Sequence, residues 1–476
     1  MEFDPDTCYH ALRTHDPRFD GAFFVGVSST GIYCRTVCTA KTPKRENCTF
    51  YPSAAAAEQA GHRPCLRCRP ELAPGNARID AVSRLAGAAL SRIEDGALTE
   101  GGVTALAAEM GVSDRHLRRA IQLEFGVSPI ALAQTQRLLL AKRLLTDTAL
   151  PVTDVAFASG FSSLRRFNAL FAERYRMRPS DLRRGHAAAH TADTLGFKLA
   201  YRPPMEWDAM LRFLSARALR GVEAVEGRTY RRTASFGKHR GWLSVAPSPS
   251  GFTLRVDVSP SLAPVLPRTL AAVKRLFDLA AEPCRIAERL SQLSDAKPGL
   301  RVPGAFKGFE VAVRAIVGQQ ISVAGATTLA GRLAATLGEP IETPFADLTR
   351  VSPTPRQILS AGADALTAVG ITPARARTIV ALADTVDRGG IRLKPGGDVE
   401  ETVARLMAVP GIGEWTAQYI AMRALSWPDA FPHTDLGVRK ALHEDDPKRI
   451  LELAESWRPW RAYATMHLWS SLEEIL

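Results

Sequence analysis

The stretch Leu406–Leu425, with the sequence LMAVPGIGEWTAQYIAMRAL, decides the fold of the C-terminal half of the chain. Residues 401–407 and 414–425 predict two helices, and a short connection that contains Gly411 and Gly413 separates them. Glycine allows a tight hairpin whose backbone N–H groups face outward, and N–H groups at the start of a helix favour phosphate. The pattern therefore predicts two helices and a hairpin that clamp a nucleic-acid backbone at these glycines. A plain helical hairpin is the alternative.

A candidate catalytic carboxylate follows this hairpin. The chain continues into PDAFPHTDLGVRKAL at residues 428–442, which places Asp435 20 residues after Trp415. An aspartate in a TDLG segment, taken alone, is more often a helix cap or a turn residue than a catalyst. Its position downstream of the hairpin favours a place in a functional site.

Three further segments, together with the hairpin and Asp435, carry a family resemblance. They are YRPPMEWDAMLRFLSARAL, KPGLRVPGAFKGFEVAVRAIVGQQISVAGA and ESWRPWRAYATMHLW. With them, residues 195–469 resemble AlkA, the DNA-3-methyladenine glycosylase II family of the helix–hairpin–helix superfamily. The resemblance implies that Asp435 is the catalytic carboxylate and that Trp415, Tyr419 and Trp469 line a pocket for an extruded base. Core packing is the alternative for these aromatic residues, above all for Tyr419.

The chemistry that this resemblance implies is hydrolysis of an N-glycosidic bond. Cleavage of that bond builds positive charge on the sugar, and a fixed carboxylate beside the sugar carbon stabilises this charge. The base must first leave the stack. An N-alkylated purine is a cation, so aromatic faces attract it by about 0.5–2 kcal/mol per contact.

Two further details of the C-terminal half narrow the expected chemistry. Lyase-type members of the superfamily carry a lysine where Trp415 stands, so a monofunctional enzyme is expected. Cys284 is the single cysteine of this half, so no iron–sulfur cluster is expected, and no nucleotide cofactor either. The resemblance also places DNA contacts at Gln319 and Gln320, where Gln320 occupies the position of a wedge residue that is expected to be apolar.

An internal repeat marks the preceding helical segment. Val103–Thr104 with Gly111-Val112-Ser113 returns 49 residues later as Val152–Thr153 with Gly160-Phe161-Ser162. Each unit predicts a helix, a glycine turn and a serine-capped helix, and the repeat resembles the AraC-type DNA-binding family. The resemblance and the arginines predict tandem helix-turn-helix units in which arginine and asparagine contact bases or phosphates; two ordinary helical hairpins are the alternative. The expected DNA-binding residues are Arg115, His116, Arg118, Arg119, Ser163, Arg165, Arg166 and Asn168.

The cysteines are concentrated at the N-terminus, where six of the seven lie within the first 68 residues. An odd number of cysteines with such an uneven distribution along the chain argues against a disulfide framework. The pairs Cys34-x3-Cys38 and Cys65-x2-Cys68 predict a site for one zinc ion, which would also supply folding energy. The other three cysteines, which are Cys8, Cys48 and Cys284, are interpreted as small packing residues.

The segment around these pairs, GIYCRTVCTAKTPKRENCTFYPSAAAAEQAGHRPCLRCRPE, resembles the metal-binding domain of the Ada family. The resemblance implies that Cys34, Cys38, Cys65 and Cys68 bind zinc and that Cys34 accepts a methyl group from a methyl phosphotriester in DNA. The alternative is a domain in which zinc only stabilises the fold and no methyl transfer occurs. The Pro-Cys-His-Arg motif of the second transferase domain of this family is absent from the sequence, so repair of alkylguanine by direct reversal is not expected.

The bulk properties agree with a nucleic-acid partner. The formal net charge is +12, which favours DNA or RNA over other partners. No stretch of about 18 apolar residues predicts a membrane span, and the acidic, mixed N-terminus is unlike an export signal. A cytoplasmic, nucleoid-associated protein without a membrane partner is therefore expected.

The expected fold class is a mainly α multidomain protein with α+β parts. The expected parts are a zinc-bound α/β methyl-acceptor domain (1–78), a tandem helix-turn-helix bundle (79–185), a linker (186–194), an antiparallel-sheet, TBP-like subdomain (195–300) and an all-α helix–hairpin–helix glycosylase domain (301–476).

These inferences combine into one functional hypothesis. The chain is expected to excise alkylated bases of the 3-methyladenine and 7-methylguanine class from double-stranded DNA, to sense phosphotriesters, and to bind promoter DNA as an activator with RNA polymerase as its partner. One alternative is a transcription regulator with an inactive glycosylase domain. A second alternative keeps the glycosylase and reduces the N-terminal half to a DNA tether.

Overall fold

The computed structural model describes residues 4–74, 81–184, 194–249, 251–293, 297–396 and 398–473. The chain forms two compact units. The first unit is Met1–Pro203, Ser248–Ala271 and Leu279–Glu282, and the second is Pro204–Pro247, Ala272–Asp278 and Pro283–Leu476. Within the described residues, every helix is too short or too polar to cross a membrane.

The cysteine-rich part of the first unit is built on a small four-stranded sheet. Its elements are α1 (Pro5–Arg13), β1 (Phe24–Val27), β2 (Ile32–Cys34), β3 (Cys48–Tyr51), α2 (Ala54–Gln59) and β4 (Arg63–Pro64). The strand order is β3-β1-β2-β4, and β1 is antiparallel to both of its neighbours. The parallel pairing of β2 with β4 aligns Tyr33 with Pro64, so the residues that follow, Cys34 and Cys65, lie side by side.

Eight helices follow, and they confirm the internal repeat. They are α3 (Ala81–Glu94), α4 (Ala97–Glu100), α5 (Val103–Glu109), α6 (Asp114–Phe125), α7 (Pro129–Asp147), α8 (Val152–Ala158), α9 (Leu164–Tyr175) and α10 (Pro179–Arg184). The side chains of Ser113 and Ser163 cap α6 and α9 by accepting backbone N–H groups. Such caps satisfy N–H groups that a helix leaves without partners. Pro129 and Pro179 begin the helices that close each repeat, because proline suits a first helical position.

Buried polar contacts join the cysteine-rich part to α7. Glu58 accepts the hydroxyl of Tyr33 at 3.1 Å and the hydroxyl of Thr135 at 2.8 Å. Lys142 and Glu71 form an ion pair at 2.6 Å, with both side chains 2% exposed. Breaking a buried pair costs about 3–5 kcal/mol, so these contacts hold the two parts of this unit in one arrangement.

Five strands lie beyond the helical repeat, together with the helix α11 (Trp207–Ser215). The strands are β5 (Leu195–Ala200), β6 (Glu223–Glu226), β7 (Thr229–Phe236), β8 (His239–Pro247) and β9 (Thr253–Val258). In the first unit β5 pairs antiparallel with β9, and in the second unit β7 pairs antiparallel with β6 and β8. The segments 196–201, 241–247 and 251–258 carry the alternation of apolar and polar residues that is typical of strands, and they contain most of β5, β8 and β9, whereas β6 and β7 have no such clear alternation.

The rest of the chain is helical. The helices are α12 (Leu266–Leu276), α13 (Pro283–Arg289), α14 (Gly308–Val317), α15 (Val323–Leu337), α16 (Pro355–Ala368), α17 (Pro373–Asp387), α18 (Val399–Met407), α19 (Glu414–Arg423), α20 (Leu436–Leu442), α21 (Pro447–Glu455) and α22 (Arg461–Glu473). The predicted pair of helices around the hairpin is present as α18 and α19. The core of the second unit surrounds α19, where Ala417, Ile420 and Ala421 are fully buried.

The architecture confirms the expected class, a mainly helical multidomain chain with antiparallel sheets. The expected boundaries at 78, 185, 194 and 300 stay predictions, and the linker 186–194 lies outside the described residues except for Thr194. Cys8 and Cys48 are buried as interpreted. Cys284 is exposed near the start of α13, so its interpretation as a packing residue is wrong.

Candidate functional site

The carboxylate of Asp435 is positioned by the start of α20. Asp435 is the N-cap of this helix, and its Oδ1 accepts the backbone N–H groups of Gly437 at 2.8 Å and Val438 at 3.1 Å. The TDLG segment thus forms a helix cap, as the local pattern indicates. The cap also determines the direction in which the carboxylate points.

Two tryptophan side chains complete the hydrogen bonds of this carboxylate. The indole N–H of Trp469 donates to Oδ1 at 2.8 Å, and that of Trp415 donates to Oδ2 at 2.8 Å. Asp435 is half-buried, and among the described residues it has no ion-pair partner. Four N–H donors therefore orient the two oxygens without neutralising the charge.

A cluster of aromatic rings lies next to this carboxylate within the second unit. Trp415 stacks on Tyr419 with ring centroids 5.3 Å apart and planes 14° apart. Trp469 lies 6.4 Å from Tyr419 and is parallel to Phe213, also at 6.4 Å. The structure thus brings all three predicted pocket residues together. Trp415 and Trp469 are half-buried, whereas Tyr419 is 7% exposed and packs largely as a core residue.

Phe213 and Arg423 belong to this cluster and were missed from the sequence. The guanidinium of Arg423 donates to the hydroxyl of Tyr419 at 2.9 Å and lies 4.9 Å from the ring centre of Phe213. Burial raises the pKa of Tyr419, but the positive charges of Arg423, Arg217 and Arg314 outweigh burial and leave the pKa below its ordinary value. Phe213 stands in the quoted segment of α11, but no local pattern connects it with residues more than 200 positions later.

The two glycines of the hairpin differ in backbone conformation and in the space around each Cα atom. Gly411 has φ +89°, and a Cβ atom there would lie 2.1 Å from Oγ1 of Thr378, so the turn requires glycine. Gly413 is the N-cap of α19 with extended backbone, and a Cβ atom there would meet open space. Both glycines are exposed, as a backbone clamp requires.

The two glutamines that were predicted to contact DNA lie beside this hairpin. The side-chain amide of Gln319 donates to the carbonyl of Gly411 and to Oγ1 of Thr416, both at 3.0 Å. Gln319 therefore braces the hairpin. Gln320 is exposed with φ +55°, and the apolar side chain next to it, Ile321, is 37% exposed.

The predicted metal ligands come together in the first unit. The sulfur atoms of Cys34, Cys38, Cys65 and Cys68 all lie within 4.8 Å of one another. Tetrahedral zinc with Zn–S bonds of about 2.3 Å places sulfur atoms about 3.8 Å apart. The four-sulfur set and its spacing therefore fit zinc.

The four sulfur atoms differ in their surroundings. Backbone amides of Ala40, Cys68 and Arg35 reach the sulfur atoms of Cys38, Cys65 and Cys68 respectively. Cys34 and Cys68 are half-buried, whereas Cys38 and Cys65 are buried, so solvent reaches the first and the last cysteine of the set more readily than the other two.

The residues of the two repeats that were predicted to bind DNA, called the reading residues below, lie on the exposed faces of α6 and α9. All eight are exposed, namely Arg115, His116, Arg118, Arg119, Ser163, Arg165, Arg166 and Asn168. Arg118 forms a hydrogen bond to Asp114 at 2.7 Å. The hydroxyl of Ser163 accepts the backbone N–H of Arg166 at 3.4 Å, so this serine serves α9 as a cap.

Three family models match parts of the chain between residues 7 and 307. They are the metal binding domain of Ada at residues 7–71, a helix-turn-helix domain at 106–185 and the AlkA N-terminal domain at 196–307.

Curated relatives extend these matches. A protein of Mycobacterium tuberculosis named probable bifunctional transcriptional activator/DNA repair enzyme AlkA is 39% identical over 492 residues, which cover 99% of this chain and 97% of the relative. DNA-3-methyladenine glycosylase 2 of Escherichia coli is 38% identical over 273 residues, which cover 57% of this chain and 96% of the relative. Among solved structures, the 3-methyladenine DNA-glycosylase from Archaeoglobus fulgidus matches 57% of this chain and 97% of its own, with a TM-score of 0.50 and 24% identity. At that identity the last match supports the fold alone.

Proposed function

Because the chain belongs to the family of bifunctional transcriptional activator/DNA repair enzymes AlkA, we propose that it excises alkylated bases from double-stranded DNA and regulates promoters. The excised class is 3-methyladenine and 7-methylguanine, and Asp435 is the catalytic carboxylate. The N-terminal half senses methyl phosphotriesters and binds promoter DNA. We assign these functions to the separate domains of the chain, with boundaries at 78, 185, 194 and 300.

One observation carries the glycosylase proposal, namely that a half-buried carboxylate is held by two indole N–H groups at the edge of an aromatic cluster. Trp415 and Trp469 each donate to a different oxygen of Asp435 at 2.8 Å. Such prior orientation stabilises a developing positive charge without reorganisation during the reaction. The rings of the same residues offer faces that attract a cationic base.

The reaction follows from this arrangement. The bond between the sugar C1′ and the base nitrogen breaks, and the electron pair of that bond leaves with the base. Asp435 stabilises the positive sugar, and water adds to C1′ and releases its proton to solvent. An N-alkylated purine leaves as a neutral base and needs little protonation. The hairpin at Gly411 and Gly413, braced by Gln319, holds the backbone, and Gln320 stands where the extruded base leaves a gap.

Release of free 3-methyladenine from an alkylated duplex tests the proposal. Asp435→Asn keeps a side chain that caps helices well but removes the negative charge, so the rate should fall by about 10²–10³-fold. The matched control is Asp398→Asn, since Asp398 caps α18 in the same manner and should leave the rate unchanged. Full activity in Asp435→Asn would contradict the proposed mechanism. A wild-type protein that binds DNA but releases no base would favour a regulator with an inactive glycosylase domain.

The sensor function rests on the four cysteines. Zinc bound by them would keep the thiolates ionised near neutral pH. The sulfur of Cys34 attacks the methyl carbon of a phosphotriester; the S–C bond forms as the O–C bond breaks, and an ordinary phosphodiester leaves. This transfer occurs once per chain. It reduces the site charge from about −2 to about −1, which weakens repulsion of DNA and increases promoter affinity.

Mass spectrometry after exposure to methylated duplex tests this transfer. A single methyl group should appear on the peptide that contains Cys34, and Cys34→Ser should carry none. Cys48→Ser, a change of the same kind outside the four-cysteine set, should still be methylated at Cys34. A methyl group on another residue, or no methyl group in the wild type, would remove the sensor from the proposal.

The regulatory part of the proposal places the reading residues of α6 and α9 against promoter DNA. Their common exposure supports this placement. RNA polymerase is the partner of such an activator, and the site of action is the nucleoid of the cytoplasm. The same proposal requires one zinc ion and neither an iron–sulfur cluster nor a nucleotide.

A further inference from the structure

Gly437 lies at the point where the carboxylate of Asp435 and the indole of Trp469 meet. The backbone N–H of Gly437 donates to Oδ1 of Asp435 at 2.8 Å, and the indole N–H of Trp469 donates to the same oxygen at 2.8 Å. Because both donors approach one carboxylate oxygen, the backbone of Gly437 and the indole ring are close neighbours. A side chain at position 437 would have to share their space.

A methyl group on Gly437 would collide with both partners of the indole hydrogen bond. A Cβ atom there would lie 2.9 Å from Cδ1 and 3.1 Å from Nε1 of Trp469, and 3.0 Å from Oδ1 of Asp435. Carbon atoms in contact normally stay about 3.5–4.0 Å apart. The indole, the carboxylate or the backbone would therefore have to move, and the hydrogen bond between the indole and the carboxylate would lengthen or break.

Neither partner of this hydrogen bond can withdraw freely. The ring of Phe213 lies parallel to that of Trp469 with centroids 6.4 Å apart, and packed side chains transmit strain to their neighbours. Asp435 is restrained as well, because its Oδ1 also accepts the backbone N–H of Val438 at 3.1 Å. The indole and the carboxylate are thus held by other contacts, and the bare Cα atom of Gly437 leaves them room to meet.

Backbone conformation does not demand glycine at this position. Gly437 is the second residue of α20, and its φ lies outside the positive range that Gly411 adopts. Alanine forms helices better than glycine does, so the local preference of the helix favours a side chain here. The space beside Trp469, and not the value of φ, therefore accounts for the glycine.

We propose that Gly437 is a positioning residue for base excision, because its missing side chain lets the indole of Trp469 orient the carboxylate of Asp435. The inference rests on the proposed function, in which Asp435 is the catalytic carboxylate. Oδ1 accepts three N–H groups, those of Trp469, Gly437 and Val438, and Oδ2 accepts that of Trp415. A methyl group that displaces the anchored Oδ1 changes the direction of the whole carboxylate.

Nuclear magnetic resonance of the indole N–H groups tests this positioning directly. The full chain is prepared with isotope-labelled tryptophan, which gives an indole cross-peak for each of the seven tryptophans, and Trp469→Phe identifies the cross-peak of Trp469. An N–H proton donated to a carboxylate resonates downfield of one donated to water. In Gly437→Ala this cross-peak should therefore move upfield, and an unmoved cross-peak would overturn the inference.

Gly331→Ala is the matched control for the added methyl group. Gly331 lies within α15, and the nearest atom to a Cβ there would be the Cβ of the exposed Arg220 at 3.4 Å. The methyl group fits at that distance without displacing the backbone. The cross-peak of Trp469 and the rate of base release should therefore keep their wild-type values in this variant.

The rate of base release from an alkylated duplex measures the effect on the reaction. Gly437→Ala should lower the single-turnover rate by about ten- to hundredfold, the loss expected for one hydrogen bond to a charged acceptor. It should leave the affinity for the duplex unchanged, because the hairpin is untouched. In the Trp469→Phe background the same change should lower the rate far less, because the bond is already absent. An unchanged rate in Gly437→Ala, or losses that multiply in the double variant, would contradict the proposal.

A comparison of stabilities covers the case in which Gly437→Ala alone fails to fold. Trp469→Ala removes the ring atoms that the new methyl group would meet, so adding Gly437→Ala to it should cost little further stability in urea denaturation. An equal loss in both backgrounds, or a double variant that fails to fold where Trp469→Ala folds, would overturn the inference. A wild type that releases no base would count against the proposed function alone, since the cross-peak and the stabilities still decide whether Gly437 makes room for Trp469.

Discussion

The indole N–H of Trp415 donates to Oδ2 of Asp435 at 2.8 Å across 20 residues of chain. Trp415 is the second residue of α19, the helix that follows the hairpin, and Asp435 caps α20, which lies against α22. The hydrogen bond therefore connects the hairpin to the carboxylate. In the proposed function, a duplex that engages the hairpin would take a defined position relative to Asp435.

Removing either indole N–H should slow base release while leaving the aromatic surface in place. Trp415→Phe and Trp469→Phe each delete one hydrogen bond to Asp435, which is worth about 1.5–3 kcal/mol for a charged acceptor. The single-turnover rate should fall by about ten- to hundredfold. Trp242→Phe, which changes a tryptophan packed on Phe345, is the control and should retain the wild-type rate. Unchanged rates in both site variants would show that the indoles do not orient the carboxylate.

The two hairpin glycines should respond differently to alanine. Gly411→Ala forces a side chain into positive φ and against Thr378, so the free energy of unfolding should fall by about 1–3 kcal/mol. Gly413→Ala adds a methyl group in open space and should change the free energy of unfolding by less than about 0.5 kcal/mol. Urea denaturation of both variants measures the difference. Equal losses would mean that the hairpin has a different conformation.

Glu58 should make stability depend on pH. Burial raises the pKa of Glu58 to about 7 from its ordinary 4.5, although the hydroxyls of Thr135 and Tyr33 oppose the rise. The folded state therefore holds a proton that the unfolded state has released, so the free energy of unfolding falls as pH rises from about 4.5 to about 7. This loss of unfolding free energy can reach about 3 kcal/mol and is complete above about pH 7.

Glu58→Gln removes this titration and keeps the shape of the side chain. The wild type should lose stability relative to the variant between pH 5 and pH 8, as measured by urea denaturation at both values. Other titrating groups are common to the two proteins and cancel in the comparison. Parallel pH profiles would mean that Glu58 does not carry the expected proton.

Removal of zinc should unfold the cysteine-rich part. Metal binding by thiolates supplies folding energy in small domains, so a chelator should lower the first thermal transition. Cys38→Ser should bind well under one equivalent of zinc, whereas Cys48→Ser, another buried cysteine of the same part, should retain it. Metal analysis after dialysis gives both values. Stoichiometric zinc in Cys38→Ser would exclude this residue as a ligand.

Much of the fold follows from local patterns. The serine cap at Ser113 and the glycine hairpin at Gly411 were predicted, because caps and turns depend on neighbouring residues. The second cap is Ser163, one residue after Ser162, the position that the repeat indicated. Strands β6 and β7 show no regular alternation of apolar and polar residues, because β6 has no buried residue and the buried residues of β7 include the charged Arg232. Cys284 was misinterpreted because a lone cysteine carries no signal of its burial.

The sequence by itself determined that two cysteine pairs, a doubled helix-turn-helix and a hairpin followed by an aspartate are present, since spacing along the chain defines each of them. Only the tertiary structure decided which groups meet Asp435. Trp469 reaches it from 34 residues away, and Phe213 packs on Trp469 from a separate helix. The physical reason is that side-chain packing between distant segments depends on the shape of the whole core, and no local spacing records that shape.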